Sequence, residues 1–349
     1  MARFLVTGGA GYVGSHIVLA LRERGDEVVV IDDLRQGHRA AVAGGAELIV
    51  ADIADRRNLA EVFAGWKFDG VLHFAALSLV GESMREPMRY MAENVSNTLW
   101  LAEAAVKAGC NRFVLSSTAA LFGLPESIPI SEDARIAPVS AYGESKLMAE
   151  RGLEWAERVH GLRSASLRYF NAAGADPLGR LGEDHNPETH LIPLAINAAM
   201  GLGPALTVFG TDYDTPDGTG IRDYVHVTDL AQAHLRVLDI LEARGSVRYN
   251  VGNGTGYSVR EVIDMVGAVS GKPVPYQEGP RRAGDPAVLI ASSARLRSEA
   301  NWEPRHSSLH EIVTTAWAWR SAHPQGFKDI QTTPAVEKSL ILASGTENE

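Results

Sequence analysis

Val6-Thr7-Gly8-Gly9-Ala10-Gly11-Tyr12-Val13-Gly14 is the stretch on which the reading of this 349-residue chain turns. It follows a short apolar run, Phe4 to Thr7, and leads into Tyr12 to Arg24, where apolar residues recur at helical spacing. A strand, a glycine turn and a helix in that order bring backbone N–H groups to one point. Glycines at 8, 11 and 14 leave no side chain in the way of an approaching anion. Asp32 closes the next apolar run, Val28 to Asp32. A carboxylate there accepts hydrogen bonds from ribose hydroxyls and repels a 2′-phosphate. The two features together read as a dinucleotide site that favours NAD over NADP, although Arg35 stands close by.

Outward from this stretch, short apolar runs alternate with helical patterns. The runs continue through Leu48–Ala51, Gly70–Phe74, Phe113–Ser116 and Ala165–Arg168. Such alternation means parallel βαβ units, and runs as unbroken as Val28 to Asp32 suit strands covered on both faces. The expected fold is therefore α/β, a doubly wound parallel (Rossmann) sheet. Asp52 and Ile53 follow the third strand and His73-Phe74-Ala75-Ala76 the fourth, where such a sheet binds its ligand. His73, with no carboxylate or nucleophile implied beside it, reads as a packed strand-end residue. The spacing predicts helices over Pro87–Ala108 and Ala141–His160, each long enough to offer a second apolar face, and these are the candidate homodimer surfaces. After Asn171 the chain turns to loops rich in Gly, Pro and Asp, which suggests a smaller, discontinuous substrate lobe. Val225–Arg244 reads as helix and Tyr249–Val251 as strand, so the chain returns to the first lobe before leaving it again. The expected division is 1–170 plus about 223–252 for the dinucleotide lobe, about 171–222 and 253–330 for the substrate lobe, and a frayed tail over 331–349.

A net charge of −10 and a pI near 5.6 argue against a nucleic-acid partner, which needs a clustered positive surface. One cysteine, Cys110, excludes an intrachain disulfide framework and fits a reducing compartment. The first residues turn glycine-rich too soon for a signal peptide, and no run approaches the ~20 apolar residues of a membrane span. The chain reads as a soluble cytoplasmic enzyme with a small-molecule partner. No metal is expected: Asp212–Asp217 lacks the glycine of a calcium loop, and His226 and His234 lack a third ligand and a zinc spacing.

Tyr142-Gly143-Glu144-Ser145-Lys146 carries the chemistry, together with Ser116-Ser117-Thr118 at the end of the fifth strand. Tyr142 and Lys146 lie one turn apart on one helical face. A phenol with a pKa of about 10 is a poor base at neutral pH, but an ammonium one turn away and a cationic nicotinamide both favour its phenolate. Thr118 can donate to or relay from the same substrate oxygen.

With these motifs in place the chain resembles the extended short-chain dehydrogenases/reductases, and among them the UDP-sugar 4-epimerases, from Phe4 to about Trp302. More specific matches are Phe74-Ala75-Ala76-Leu77 leading to Val80-Gly81-Glu82-Ser83, Leu167–Asn171, Asp217–Val227 and Arg281–Asp285. The resemblance implies NAD contacts from Gly8, Gly11, Tyr12, Val13, Gly14, Asp32, Asp33, Asp52, Ile53, Phe74, Ala75, Ala76, Ser78, Asn94, Ser116, Tyr142, Lys146 and Tyr169. It implies UDP-sugar contacts from Thr118, Tyr142, Asn171, His190, Leu191, Val208, Phe209, Arg222, Tyr224, Val259, Arg282, Asp285 and Leu289, with both arginines on the diphosphate. His190 departs from the family's frequent asparagine, and Ser78 stands where some members have a cofactor-contacting lysine. Leu289, at the position that sets the size of the sugar pocket, leaves little room for an acetamido group, so UDP-glucose and UDP-galactose are the implied substrates. The implied reaction inverts C4 through a transient 4-keto sugar on tightly held NAD. A dehydratase or decarboxylase is the nearest alternative, but Ala119 stands where 4,6-dehydratases place an acidic pair. A non-enzymatic NAD-sensing regulator would show a degraded Tyr142 or Lys146, and both are intact.

Overall fold

A computed structural model describes residues 1–282 and 284–330. Along them run strands β1 (Arg3–Thr7), β2 (Glu27–Asp32), β3 (Glu47–Val50), β4 (Gly70–His73), β5 (Arg112–Thr118), β6 (Arg163–Tyr169), β7 (Asn171–Ala173), β8 (Leu206–Phe209), β9 (Ile221–His226), β10 (Val247–Val251), β11 (Gly256–Ser258), β12 (Tyr276–Gly279) and β13 (Val288–Leu289). The α-helices are α1 (Tyr12–Glu23), α2 (Arg56–Gly65), α3 (Val80–Ser83), α4 (Pro87–Tyr90), α5 (Asn97–Lys107), α6 (Ala141–His160), α7 (Leu191–Met200), α8 (Val227–Arg244), α9 (Val259–Ser270), α10 (Ala294–Ala300) and α11 (Leu309–Ala322).

Seven strands form one sheet in the order β10-β6-β5-β4-β1-β2-β3, with every neighbouring pair parallel. Side chains alternate across a strand, and both faces here are buried. Val6, Val28 and Val30 point to one face, where Ile17 and Leu21 of α1 and Leu230 and Leu238 of α8 cover them. Leu5, Val29 and Ile31 point to the other, under Leu59 and Val62 of α2, Leu101 of α5 and Leu153 of α6. Each such side chain stabilises the fold by roughly 1.5–3 kcal/mol, so apolar strands and the helices that cover both faces hold the sheet together. Chain order reverses between β1 and β4, which opens a crevice beyond the carboxyl ends of these strands.

A second, smaller sheet is built on β9, which pairs in parallel with β7 and β13 and antiparallel with β11. Beside it β8 and β12 pair in parallel. Ile192 and Ile196 of α7, Val262 and Val266 of α9 and Ile312 and Val313 of α11 close over Val208 and Tyr224 as a separate core.

Two elements differ from expectation. The helix expected from Val225 begins at Val227, because Tyr224, Val225 and His226 pair with Asn171, Ala172 and Ala173 and must stay extended. His226 then caps the helix, its Nδ1 accepting from Thr228 N at 3.2 Å. The continuous helix expected over Pro87–Ala108 is broken by a wide π turn at Met91–Ser96. There Asn94 turns inward: its amide donates to Leu77 O at 3.0 Å and Ser145 Oγ at 3.0 Å and accepts from Leu77 N at 2.8 Å. A π turn of this kind re-aims one side chain inside a helix. The expected tail over 331–349 lies outside the described residues.

The helix α6 is set on the sheet by charge as well as packing. Ser140 Oγ caps its start, accepting from Gly143 N at 3.1 Å, and Gly161 with φ +72° ends it. Glu150 on its inner face accepts from Ser117 Oγ of β5 at 2.5 Å and from Arg168 of β6 at 2.6 and 3.0 Å. Glu150 and Arg168 are each only 2% exposed. Leaving one member of such a pair unpartnered destabilises a fold by about 3–5 kcal/mol, whereas apolar replacement of both is far milder. Glu150→Ala is therefore expected to lose about that much in urea unfolding, and E150L combined with R168M to recover most of it.

Candidate active site

The glycine turn holds two glycines by contact rather than by flexibility alone. Gly8 has φ +70°, and a Cβ there would sit 2.5 Å from Ala75 N; one at Gly14 would sit 2.2 Å from Gly8 O. These close approaches bring the turn against the end of β4, where Phe74 N and Ala75 N both donate to Thr7 O, at 2.9 and 3.1 Å. Gly11 precedes α1 with no side-chain cap, and no acidic residue occupies the first turn. The free N–H groups of that turn suit a pyrophosphate. The residues thus fit a dinucleotide.

Around this turn the expected cofactor residues divide. Asp32 is buried at the crevice, its oxygens accepting from Ala10 N and Leu34 N at 2.9 Å each, and burial raises its pKa. Asp33 pairs with Arg35, which also reaches Asp52 at 3.5 Å and Glu93 at 3.4 Å. Three carboxylates around one guanidinium leave little positive field for a 2′-phosphate, which answers the ambiguity that Arg35 introduces. Tyr12 donates to Gly174 O at 2.7 Å, tying the turn to the segment after β7, while Val13 packs on the core. Ile53 is buried in the core, Ala76 is half-buried and Ser78 is exposed. Asn94 has its amide engaged by Leu77 and Ser145, so it braces the segment after β4. His73 is buried between the hydroxyls of Thr7, at 2.6 Å, and Thr98, at 2.9 Å. Burial and the charge of Lys146 lower its pKa to about 3, which fits a packed, neutral residue.

Tyr142 and Lys146 meet the end of β5 at the crevice. Lys146 Nζ donates to Ser116 O at 2.9 Å. Burial lowers its pKa to about 8, against the pull of Glu150 one turn further on. Burial raises the Tyr142 phenol, and a hydrogen bond with Thr118 works in the opposite direction. The expected lowering by Lys146 is not what dominates here, because the ammonium is directed at a backbone carbonyl and the phenol is withdrawn from water. Tyr169 hydrogen-bonds Ser116 through their hydroxyls beside this group, and Tyr90 presents an edge to the Tyr142 ring at 6.5 Å.

Of the expected substrate residues, Asn171, Arg222, Tyr224 and Leu289 lie on the smaller sheet, Val208 and Phe209 on β8 beside it, and Arg282 and Asp285 in the loop between β12 and β13. Asn171 Nδ2 donates to Asp223 O at 2.9 Å. Arg222 pairs with Asp285 at 2.5 Å and donates to Ile221 O at 2.8 Å. The Arg282 guanidinium stacks over Phe209 at 4.2 Å. Leu289 sits beside Arg222 in strand register and packs against the apolar cluster of Ala119, Leu121 and Phe122 just past Thr118. Val208 and Tyr224 turn their side chains into the lobe core, with Val259 and Leu191 at its edge. Any contact Val208 makes with a ligand is through its backbone. His190 is exposed and lies against Glu183.

Glu150, Arg168 and Ser145 are functional supports that the motif reading passed over. Glu150 lies one turn beyond Lys146 and two beyond Tyr142, so helical spacing alone places it on the same face. Its partner Arg168 comes from another strand, which no local pattern shows.

An uncapped helix end behind a glycine turn, with a tyrosine and a lysine one turn apart beside it, defines an NAD-dependent enzyme that moves a proton beside a hydride. The chain belongs to the NAD dependent epimerase/dehydratase family, whose model matches residues 4–252. It is 46% identical over 328 residues to the UDP-glucose 4-epimerase of Streptococcus mutans, covering 93% of this chain and 98% of that one. The UDP-glucose 4-epimerase of Brucella ovis in complex with NAD superposes with a TM-score of 0.89 at 42% identity, over 91% of this chain and 98% of that one. That of Bifidobacterium longum, in complex with NAD+ and UDP, gives 0.89 at 34% identity, over 93% and 100%.

The depressed Lys146 has a measurable consequence. With a folded pKa of about 8 against an ordinary 10.5, the folded chain binds fewer protons than the unfolded chain between those values. The contribution of this group to stability therefore rises with pH across that window. Lys146→Met abolishes the dependence, so its urea midpoint relative to the wild type is expected to fall as pH rises from about 7 to about 10.

Proposed function

We propose that this chain catalyses the 4-epimerisation of UDP-glucose and UDP-galactose with tightly held NAD, and that Tyr142, Thr118 and Lys146 carry the proton chemistry. One arrangement supports this most: Tyr142 and Lys146 lie one turn apart on α6, and Lys146 Nζ donates to Ser116 O at 2.9 Å, two residues before Thr118 at the carboxyl end of β5. Bound NAD supplies the hydride acceptor and donor for sugar C4. Its pyrophosphate would lie on the first turn of α1 and its ribose near Asp32. Tyr142 takes the proton of the sugar 4-hydroxyl, and Thr118 holds the same oxygen from the other side. Lys146, fixed on the Ser116 carbonyl, keeps a positive charge within a turn of the phenolate and stabilises it. Arg222 on β9 and Arg282 in the loop after β12 anchor the diphosphate while the 4-keto sugar turns over. Tyr142 then returns the proton. Asp285, now paired with Arg222, would hold that guanidinium in place until the diphosphate joins it.

We assign residues 1–170 and the segment from α8 to β10 to the dinucleotide lobe, and the remaining described residues to the nucleotide-sugar lobe. Leu289, packed beside Ala119 and Phe122, narrows the sugar pocket and disfavours N-acetylated sugars. The same apolar cluster leaves no acid beside Thr118 for the elimination step of a dehydratase. The free, buried Cys110 suits a reducing cytoplasm, and no helix among the described residues is long and apolar enough to cross a membrane.

Tyr142→Phe, with NAD still bound, is expected to lose about 10²–10⁴-fold in turnover of UDP-galactose; near-normal turnover would remove Tyr142 from the mechanism. Wild-type protein without added NAD should convert UDP-galactose to UDP-glucose with no accumulating keto sugar, and turn over UDP-N-acetylgalactosamine poorly. A stable keto product would point to a dehydratase instead.

The functional unit we propose is a homodimer joined through α5 and α6. Met148, Trp155 and Val159 on α6 are 43%, 63% and 65% exposed, and Leu99 on the adjoining α5 is 38% exposed. An apolar patch of this kind on a helix pair marks a contact surface. Trp155→Glu should shift the protein from dimer to monomer in sedimentation velocity.

A further inference from the structure

We propose that Glu183, His185, Glu188 and His190 form a four-coordinate binding site for one divalent transition-metal ion of the zinc type. The four residues follow one another as Glu-x-His-x-x-Glu-x-His in the loop before α7, and one ligand atom from each lies within 4.8 Å of all the others. The His185 Nδ1 stands 3.1 Å from Glu183 Oε1 and 3.6 Å from Glu188 Oε2. The His190 Nδ1 stands against the same Glu183 oxygen and 3.9 Å from Glu188 Oε1. In a tetrahedron with bonds of about 2.0–2.1 Å the donor atoms are about 3.4 Å apart; His185 stands near that spacing from Glu183 and Glu188, and His190 would draw back from its contact with Glu183 to reach it. Both imidazoles aim through Nδ1 at one oxygen of Glu183, and a cation at the centre would take one donor atom from each of the four side chains at once.

The loop is built to hold this arrangement. Glu188 Oε1 accepts from Thr189 N at 2.7 Å and His190 N at 2.9 Å, which orients its carboxylate. Asn186 and Gln36 exchange amide hydrogen bonds of 2.8 and 3.3 Å, and Asp184 accepts from Phe327 N at 3.0 Å. Glu183 is nearly buried, and the Tyr12 ring sets its edge to His185 at 6.0 Å. Nitrogen and oxygen donors without thiolate suit zinc and its neighbours rather than calcium, which takes oxygen ligands alone. Four protein ligands leave no open position, so the role is structural: the ion would fix the curvature of this loop ahead of α7, where His185 meets the Tyr12 ring. Sequence reading missed the site because it looked for His–Glu–x–x–His or cysteine spacings, and none of the four residues is paired by those rules.

The test uses the full-length chain without a purification tag, stripped by chelator and titrated with Zn²⁺ by calorimetry. One ion per chain with sub-micromolar affinity is expected, and His185→Asn and Glu188→Gln should each weaken it by at least about 100-fold. Zinc should raise the melting temperature of the wild type and leave the variants unmoved. Co²⁺ on the wild type should give the intense visible bands of four-coordinate cobalt, a readout that needs no variant to fold. Less than one ion per chain, equal affinity in wild type and variants, or only the weak spectrum of six-coordinate cobalt would each overturn the proposal. Because none of these readouts is turnover, they stand apart from the epimerase reading.

Discussion

The placement of α6 on the ends of β5 and β6 is the constraint on which the rest depends. Lys146 rests on the Ser116 carbonyl, and one turn later Glu150 grips Ser117 and Arg168. Both contacts are buried, so neither can be exchanged for water without loss. They fix the rotation of the helix about its axis, and that rotation decides where the Tyr142 phenol stands relative to Thr118. A catalytic geometry tolerates little looseness, and here a buried charge pair supplies the stiffness that apolar packing alone, which permits small slides, does not.

The electrostatics of the crevice follow from the same burial. Removed from water, Lys146 is held near the point of losing its proton, the phenol is pushed toward its neutral form, and His73 stays uncharged. At neutral pH Lys146 is still mostly charged, and in this buried setting its charge acts strongly on any charge brought beside it. On the adenosine side, Arg35 is surrounded by Asp33, Asp52 and Glu93, which leaves the neighbourhood of Asp32 suited to hydroxyls rather than phosphate.

The seven-stranded sheet and the smaller sheet are joined through β9 and the segment between β7 and α7. The buried Asp223 accepts from Asn253 N, Gly254 N and Ala291 N at 2.8 to 3.0 Å, and burial raises its pKa to about 6. It therefore binds strand β9, which carries Arg222, to the turns on either side. Tyr12 reaches from the glycine turn to Gly174. The groups that would hold a diphosphate and the groups that would hold a dinucleotide are thus referenced to one frame.

By itself the sequence determined the parallel sheet, the glycine turn, Asp32 and the Tyr142–Lys146 helix, because each is written in local periodicity and short spacing, which a chain expresses before it folds. It marked Arg222, Arg282 and Leu289 only through resemblance, since they lie among loops and on strands of mixed polar and apolar residues with no local spacing that marks a site. Only the tertiary structure decided the rest. The π turn that aims Asn94 inward, the two extended residues ahead of α8, the Glu150–Arg168 pair and the convergence of Glu183, His185, Glu188 and His190 all depend on atoms from separate segments or on loop curvature. Such contacts have no period in the chain, because what selects them is the distance between elements after packing.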